Sequence, residues 1–130
     1  MEPYRLTLKV RDYECDLQGI VNNANYQHYL EHARHEYLRT IGFSFSKLHD
    51  EGLDFVVARL EMAFKTPLKS GDVFTVTVLM KKEGIRWVFI QNIYREPEQT
   101  LVVKAKVDSV CLINGKLSQF NGFDEIVNNK

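Results

Sequence analysis

The run Tyr13-Glu14-Cys15-Asp16-Leu17-Gln18-Gly19-Ile20-Val21-Asn22-Asn23-Ala24-Asn25-Tyr26 decides how this chain folds, because the periodicity of the sequence changes across it. Before it, Leu6, Leu8 and Val10 alternate with Thr7, Lys9 and Arg11, which is the period of a strand. After it, Tyr26, Leu30, Ala33, Tyr37 and Ile41 recur at helical spacing and form one face of a long amphipathic helix. Asn22 and Asn23 suit its N-cap, since a short amide oxygen accepts from the free N–H groups of the first turn. Gly42 suits the C′ position, where positive φ is needed. Asp16-Leu17-Gln18-Gly19 breaks both periods and reads as a loop.

Downstream the period is mostly two and the residues are strand formers. Strands are expected at Phe55–Phe64, Asp72–Lys82, Arg86–Glu96 and Thr100–Ile113. Pro67-Leu68-Lys69-Ser70-Gly71-Asp72, Glu83-Gly84, Glu96-Pro97-Glu98 and Asn114-Gly115 punctuate them as turns. The stretch from Phe43 to Asp54 is less regular, and the tail after Phe120 frays or adds a short helix. One strand, one long helix and four successive strands make an α+β chain. A curled antiparallel sheet of about five strands wrapped on the helix satisfies it. No repeat, low-complexity tract or linker divides residues 1–130, so a single domain is expected.

Composition removes several classes of function. With 17 basic and 17 acidic residues, bulk charge gives no pull toward nucleic acid or a membrane surface. No run of about 18 apolar residues exists to span a bilayer. Met1-Glu2-Pro3-Tyr4-Arg5 lacks the apolar run of a signal peptide, so cytoplasm is the expected compartment. Cys15 and Cys111 agree with a reducing compartment and leave a single disulfide open.

The acidic loop and the capped helix start together suggest chemistry. A helix N-terminus offers unpaired N–H groups and partial positive charge, which stabilise an oxyanion. A carboxylate lying opposite attacks the same carbonyl or activates a water against it. That is a minimal site for acyl transfer to water.

In this segment the sequence resembles the hotdog-fold thioesterases of the 4-hydroxybenzoyl-CoA and short-chain acyl-CoA type. The motif there is roughly Asp-x-x-Gly-Val-Val-x-x-x-Asn-Tyr, followed by a stretch rich in Glu, Ala and Arg. Asp16, Gly19, Ile20, Val21, Asn25, Tyr26, Glu31, Ala33, Arg34 and Glu36 occupy the matching positions, and Pro67–Asp72 resembles the family's Pro-x-x-x-Gly-Asp turn. The resemblance implies a hotdog fold and hydrolysis of an acyl-CoA thioester to a carboxylic acid and free CoA. Coenzyme A is then part of the substrate, and neither a metal nor a redox cofactor is implied. It gives Asp16 the role of catalytic carboxylate and the Asn23 N–H that of carbonyl-polarising donor. Gly19 lets the loop pass close to substrate. Tyr26, Val57, Arg59, Lys82 and Arg86 become substrate-binding residues, Arg86 at the place where the benzoyl type binds CoA phosphates. It also implies a homodimer or homotetramer whose site lies between subunits, with Asp16 from one and Val57 or Arg59 from the other. An uncovered sheet edge supplies a physical motive for that assembly. An acyl-carrier-protein thioesterase and a non-catalytic acyl-CoA binder are the alternative readings. Many members carry His where this chain has Asn23; asparagine keeps the backbone donor but drops the imidazole, which counts against hotdog hydratases.

Competing readings attach to particular residues. Glu31 is the alternative catalytic carboxylate, since some hotdog thioesterases place theirs on the helix; a helical Glu is otherwise a solvated charge or a partner for Arg34 or His35. His28, His32 and His35 lack the Glu of a zinc-protease pattern and fall opposite the apolar face, exposed or facing an oligomer partner, so no metal is expected. Cys15 reads as a small buried loop residue rather than a nucleophile. Lys65, Lys69, Lys81, Lys82 and Arg86 are solvated strand ends or CoA-phosphate ligands. Phe43, Phe45, Phe55 and Phe64 line an acyl pocket or fill the core.

Overall fold

The alternation at the start of the chain becomes β1 (Tyr4–Lys9), with Leu6 and Leu8 turned inward and Arg5, Thr7 and Lys9 outward. The computed structural model describes residues 2–128; Met1 of the N-terminal segment and Asn129 and Lys130 of the tail lie outside the described residues. A 3-10 turn (Asp12–Glu14) leads into the acidic loop, and α1 (Asn23–Thr40) follows. Asn22 is its N-cap, its side chain accepting from the Ala24 N–H at 2.9 Å. Tyr26, Tyr29, Leu30, Ala33, Tyr37 and Leu38 form the buried face. At the other end Gly42 takes φ 88°, and the Phe43 N–H reaches back to the Leu38 carbonyl at 2.8 Å. The Gly42 N–H bonds the Arg39 carbonyl at 3.1 Å, completing the left-handed stop that a glycine there permits.

The stretch read as irregular contains a second helix, α2 (Phe45–Asp50), capped by Ser44. Six residues with Leu48 alone buried hold too little periodicity to announce a helix. The strands β2 (Leu53–Phe64), β3 (Val73–Glu83), β4 (Arg86–Arg95) and β5 (Thr100–Ile113) then follow as expected. A short β6 (Lys116–Ser118), reached through Asn114-Gly115, adds a sixth strand, and α3 (Asp124–Asn128) closes the described chain.

All strand pairs are antiparallel, in the order β1-β3-β4-β5-β2, with β6 on β5. α1 lies across β1 and β3, Tyr29 packing on Phe74 with ring centres 4.6 Å apart. Leu30 of the helix and Phe74, Val76, Trp87 and Ile93 of the sheet are completely buried, each such side chain contributing about 1.5–3 kcal/mol by leaving water. The helix does not cover the far side of the sheet. There β2 is an edge strand whose Val56, Val57, Leu60 and Phe64 stand exposed. A register shift at Ala58 bends this edge midway. No helix among the described residues is long and apolar enough to cross a membrane.

Candidate active site

The acidic loop is a closed turn pinned on both sides. Cys15 and Val21 form an isolated antiparallel bridge, and Ile20 forms another with Lys69 of the Pro67–Asp72 turn. Within the turn the Asp16 N–H donates to the Ile20 carbonyl (2.9 Å) and the Gly19 N–H to the Asp16 carbonyl (3.0 Å). Gly19 sits at φ 80° with open space where a Cβ would lie, so within this chain its requirement is conformational rather than steric. Asp16 Oδ1 accepts from the Gln18 N–H at 2.8 Å, which orients an otherwise exposed carboxylate. Leu17 beside it is fully exposed and Tyr13 largely so.

The Cys15–Val21 bridge closes the hairpin that carries Asp16, with Asp16 and Ile20 on its closed side and Glu14 and Asn22 on the side that opens into α1. Of the first N–H groups, that of Ala24 is taken by the Asn22 side chain and that of Asn25 by the Asn22 carbonyl. The Asn23 N–H has no partner among the described residues. A shallow cavity of about 260 Å³ opens beside it, lined by Ile20, Asn23, Tyr26, Phe64, Lys65 and Thr66.

A layer behind the loop holds this geometry, and sequence reasoning missed most of it. The Glu14 carbonyl accepts from the Asn22 N–H (3.1 Å) and from the Asn25 side chain (2.8 Å), tying loop to helix. The Glu14 carboxylate is buried and accepts from the Arg11 N–H (2.8 Å) and guanidinium (3.0 Å). Burial works to raise its pKa, but the Arg11 hydrogen bonds outweigh that and hold it below the usual carboxylate range. Burial, then the neighbouring Glu14 carboxylate, pushes the Tyr29 hydroxyl upward. The only sequence signal for this layer is Arg11 three residues before Glu14. Tyr26, expected at the substrate, is buried; its hydroxyl accepts from the Leu68 N–H at 3.0 Å and fixes the turn behind Asp16, while its ring lines the shallow cavity.

The remaining candidates are spread along the molecule. Val57 and Arg59 lie exposed on the free edge of β2, Arg59 paired with Glu61 at 2.5 Å. Lys82 and Arg86 stand at the far end of β3 and the start of β4, the opposite end of β3 from the Asp16 loop. Lys82 is bound to Asp124 (2.7 Å) and Asn121 (3.1 Å), and Arg86 to the buried Asp108 (3.0 Å). Glu31 is exposed on α1, eight residues past Asn23 and so about 12 Å along the axis from the helix start.

Two expectations need correction. Cys15 is half-buried rather than buried, and its thiol is unbridged, as is that of Cys111. Burial and then the neighbouring Asp16 charge push the Cys15 thiol up, keeping it protonated and unreactive. His28 and His32 are exposed as expected, but His35 is half-buried, its ring 4.4 Å from that of Phe45; α2, unseen in the sequence, packs over it.

The chain is similar to known proteins over most of its length. The sequence model of the thioesterase-like superfamily matches residues 10–128. The chain is 37% identical over 114 residues to the acyl-acyl carrier protein thioesterase ATL3, chloroplastic, of Arabidopsis thaliana, covering 87% of this chain and 60% of that protein. It thus spans about three fifths of the length of the plant relatives it matches. It is 33% identical over 106 residues to the long-chain acyl-CoA thioesterase FadM of Escherichia coli, covering 81% of this chain and 80% of that one. The crystal structure of a hypothetical protein from Aquifex aeolicus superposes with a TM-score of 0.89 at 33% identity, covering 96% of this chain and 99% of that one.

Proposed function

The chain belongs to the thioesterase-like superfamily and has its hotdog fold, and from that premise we propose that it hydrolyses acyl-CoA thioesters at Asp16 and the start of α1. The observation that carries this reading is the N–H of Asn23, without a partner among the described residues, at a helix start that the chain enters directly from the hairpin bearing the exposed Asp16 carboxylate. A thioester carbonyl placed between them accepts from the Asn23 N–H, which stabilises the oxyanion as the carbon becomes tetrahedral. One such donor contributes about 2.7–4 kcal/mol. Asp16 either takes a proton from the attacking water or attacks the carbonyl itself. In both routes the C–S bond breaks and the thiolate of CoA leaves and is protonated; water gives its oxygen to the carboxylic acid in the first route, and in the second to Asp16, whose own oxygen leaves with the acid. In the second route an acyl-aspartyl anhydride precedes release of the acid. The reaction as written requires only the thioester and water.

The apolar free edge of β2 and the exposed Leu17 and Tyr13 support a second copy as part of the working enzyme. We assign β2 as a self-complementary, antiparallel dimer edge, with a dimer of such pairs as the tetramer; light scattering in solution measures the state. Cytoplasm, where two unbridged thiols stay reduced, is the compartment proposed.

An acyl-carrier-protein thioester is the second reading. It is favoured by the plant relatives and by the ion pairs that occupy Lys82 and Arg86, the residues otherwise offered to CoA phosphates. Steady-state hydrolysis of matched acyl-CoA and acyl-carrier substrates by wild type and Asp16→Asn separates these readings. Loss of about a hundredfold or more in kcat is expected for Asp16→Asn. Undiminished turnover removes Asp16 from the mechanism, and no hydrolysis of either substrate leaves an acyl binder. Single turnover in heavy-oxygen water labels Asp16 in the anhydride route and leaves it unlabelled in the general-base route.

A further inference from the structure

A groove of about 560 Å³ lies between α1 and the segment that runs from the end of β1 into the 3-10 turn, at the edge of the sheet opposite β2. The helix supplies Asn25, His28, Tyr29 and His32, spaced three and four apart so that they form one stripe. The segment facing them supplies Lys9, Arg11 and Glu14. The proposed chemistry uses none of the cations gathered here.

Charge in the groove is one-sided. Its single acid, the buried Glu14, is matched by the Arg11 guanidinium at 3.0 Å and the Arg11 N–H at 2.8 Å. One guanidinium nitrogen makes that bond and the side chain stays 64% exposed, so the rest of its donor fork is open. Lys9 is exposed and forms no ion pair among the described residues. His28 stands with its ring nitrogen 3.2 Å from Asn25 Oδ1, and His32 is exposed one turn further along.

Against these cations lies a buried donor. Tyr29 is 5% exposed, and its hydroxyl, beside the Glu14 carboxylate, completes no hydrogen bond among the described residues. A buried hydroxyl without a partner is costly, and a ligand oxygen that accepts from it removes that cost. An ammonium, an open guanidinium fork, an imidazole and a buried hydroxyl together suit the three oxygens and double charge of a phosphate better than a single carboxylate. The volume is that of a ligand pocket rather than of a bare ion, so the phosphate comes with an organic body.

We propose that this groove binds the phosphate group of an organic phosphate, held by Lys9, Arg11, His32 and the Tyr29 hydroxyl. Two sources carry that chemistry. One is the substrate's own CoA, since Lys82 and Arg86 are taken by Asp124 and Asp108; the other is a free organic phosphate. Only the first source rests on the thioesterase reading; binding does not. In either case the occupant touches Glu14 and Asn25, whose 2.8 Å bond ties the Asp16 loop to α1.

Calorimetry with pyrophosphate and with adenosine 3′,5′-bisphosphate reads the groove directly. Both are expected to bind wild type, and Lys9→Glu to weaken both by about tenfold or more, as for loss of a charged hydrogen bond. Lys116→Glu makes the same charge change on exposed β6 and is expected to leave affinity in place. Tyr29→Phe is expected to weaken binding without lowering the thermal midpoint, because the hydroxyl it removes has no hydrogen bond to lose. No binding to wild type, equal losses in Lys9→Glu and Lys116→Glu, or undiminished affinity in Tyr29→Phe overturns the proposal. Should Lys9→Glu fail to fold, Lys9→Ala takes its place.

Turnover then separates the sources. Octanoyl-CoA and octanoyl-N-acetylcysteamine share the thioester, and only the first carries phosphate. If the groove holds the substrate's own phosphates, Lys9→Glu lowers kcat/KM for octanoyl-CoA several-fold relative to the phosphate-free thioester. If it holds a free phosphate, both thioesters respond alike to Lys9→Glu and to added pyrophosphate. Should neither thioester be hydrolysed by wild type, the Asp16 reading fails, and calorimetry decides the groove by itself.

Discussion

The two ends of α1 are built on different principles. At its N-terminus nearly every polar group of a contiguous stretch is spoken for: Asp16 by Gln18, Glu14 by Arg11, the Glu14 carbonyl by Asn22 and Asn25, and Leu68 by Tyr26. At its C-terminus, rings from α2, β2, β4 and the segment before α3 meet around an aromatic cavity of about 410 Å³. Attack on a carbonyl requires one carboxylate and one N–H in fixed directions, and directional hydrogen bonds supply them. Holding an acyl chain requires apolar volume, which side chains from anywhere in the fold can line.

Removing the carboxylate gives the largest break in that contrast. Asp16→Asn is expected to lower kcat about a hundredfold or more while leaving the thermal midpoint in place, because the side chain is exposed and its one bond is local. Glu31→Gln, at the middle of α1, is expected to leave kcat within a few tenths of a log unit. A comparable loss from Glu31→Gln would move the chemistry along the helix and erase the division between the two ends.

The same contrast decides what could be read from the residues alone. The strand–loop–helix order, the cap at Asn22 and the stop at Gly42 were legible because each depends on neighbours in sequence. The Asp16 loop was legible for the same reason, and its match to a family motif gave it a role. The five expected strands kept their place within two residues, since alternation is local as well. α2 and β6 were too short to carry a period. Of the four phenylalanines weighed for a pocket, Phe45 and Phe55 line the aromatic cavity, Phe64 lines the shallow one, and Phe43 packs edge-on to Phe123. Nothing in their spacing distinguishes these fates. Phe89, Phe123 and the Arg34–Gln91 hydrogen bond come together only through the tertiary fold.

Next in size is the hydrogen bond that supports the N-terminal end from behind. Tyr26→Phe leaves the buried Leu68 N–H without an acceptor, a cost of about 1–3 kcal/mol, measurable by urea unfolding. Because Leu68 belongs to the turn bridged to Ile20, kcat is also expected to fall while the preferred acyl-chain length stays put. A change confined to chain-length preference would place Tyr26 against the acyl chain instead. Gly19→Ala follows, at about 1–2 kcal/mol for a Cβ forced to positive φ, and Gly19→Asn is expected to cost less because asparagine tolerates that region. If Ala and Asn lower kcat equally, far beyond their effect on stability, close approach of substrate or partner governs the position rather than backbone conformation.

The smallest effects have opposite signs at the two ends. Glu14 has its folded pKa depressed, so its contribution to stability is present above the unfolded value and is lost as pH falls through the folded one. His49 has its folded pKa raised, by the hydrogen bond it donates to Asp54 first and by the Asp54 charge second. Its contribution is complete below the unfolded value and disappears as pH rises through the folded one. Acid therefore loosens the layer behind Asp16, while alkali loosens the fastening of α2 over the aromatic cavity. Both histidine and aspartate are solvent-exposed, so this second effect is small in stability. It is visible instead in the His49 ring resonances: their titration midpoint should fall toward the unperturbed histidine value in Asp54→Asn, and Glu14→Gln should leave it where it is. A midpoint indifferent to Asp54→Asn would mean that α2 is held by packing of Leu48 and Phe45 alone, and that the roof of the cavity does not respond to pH.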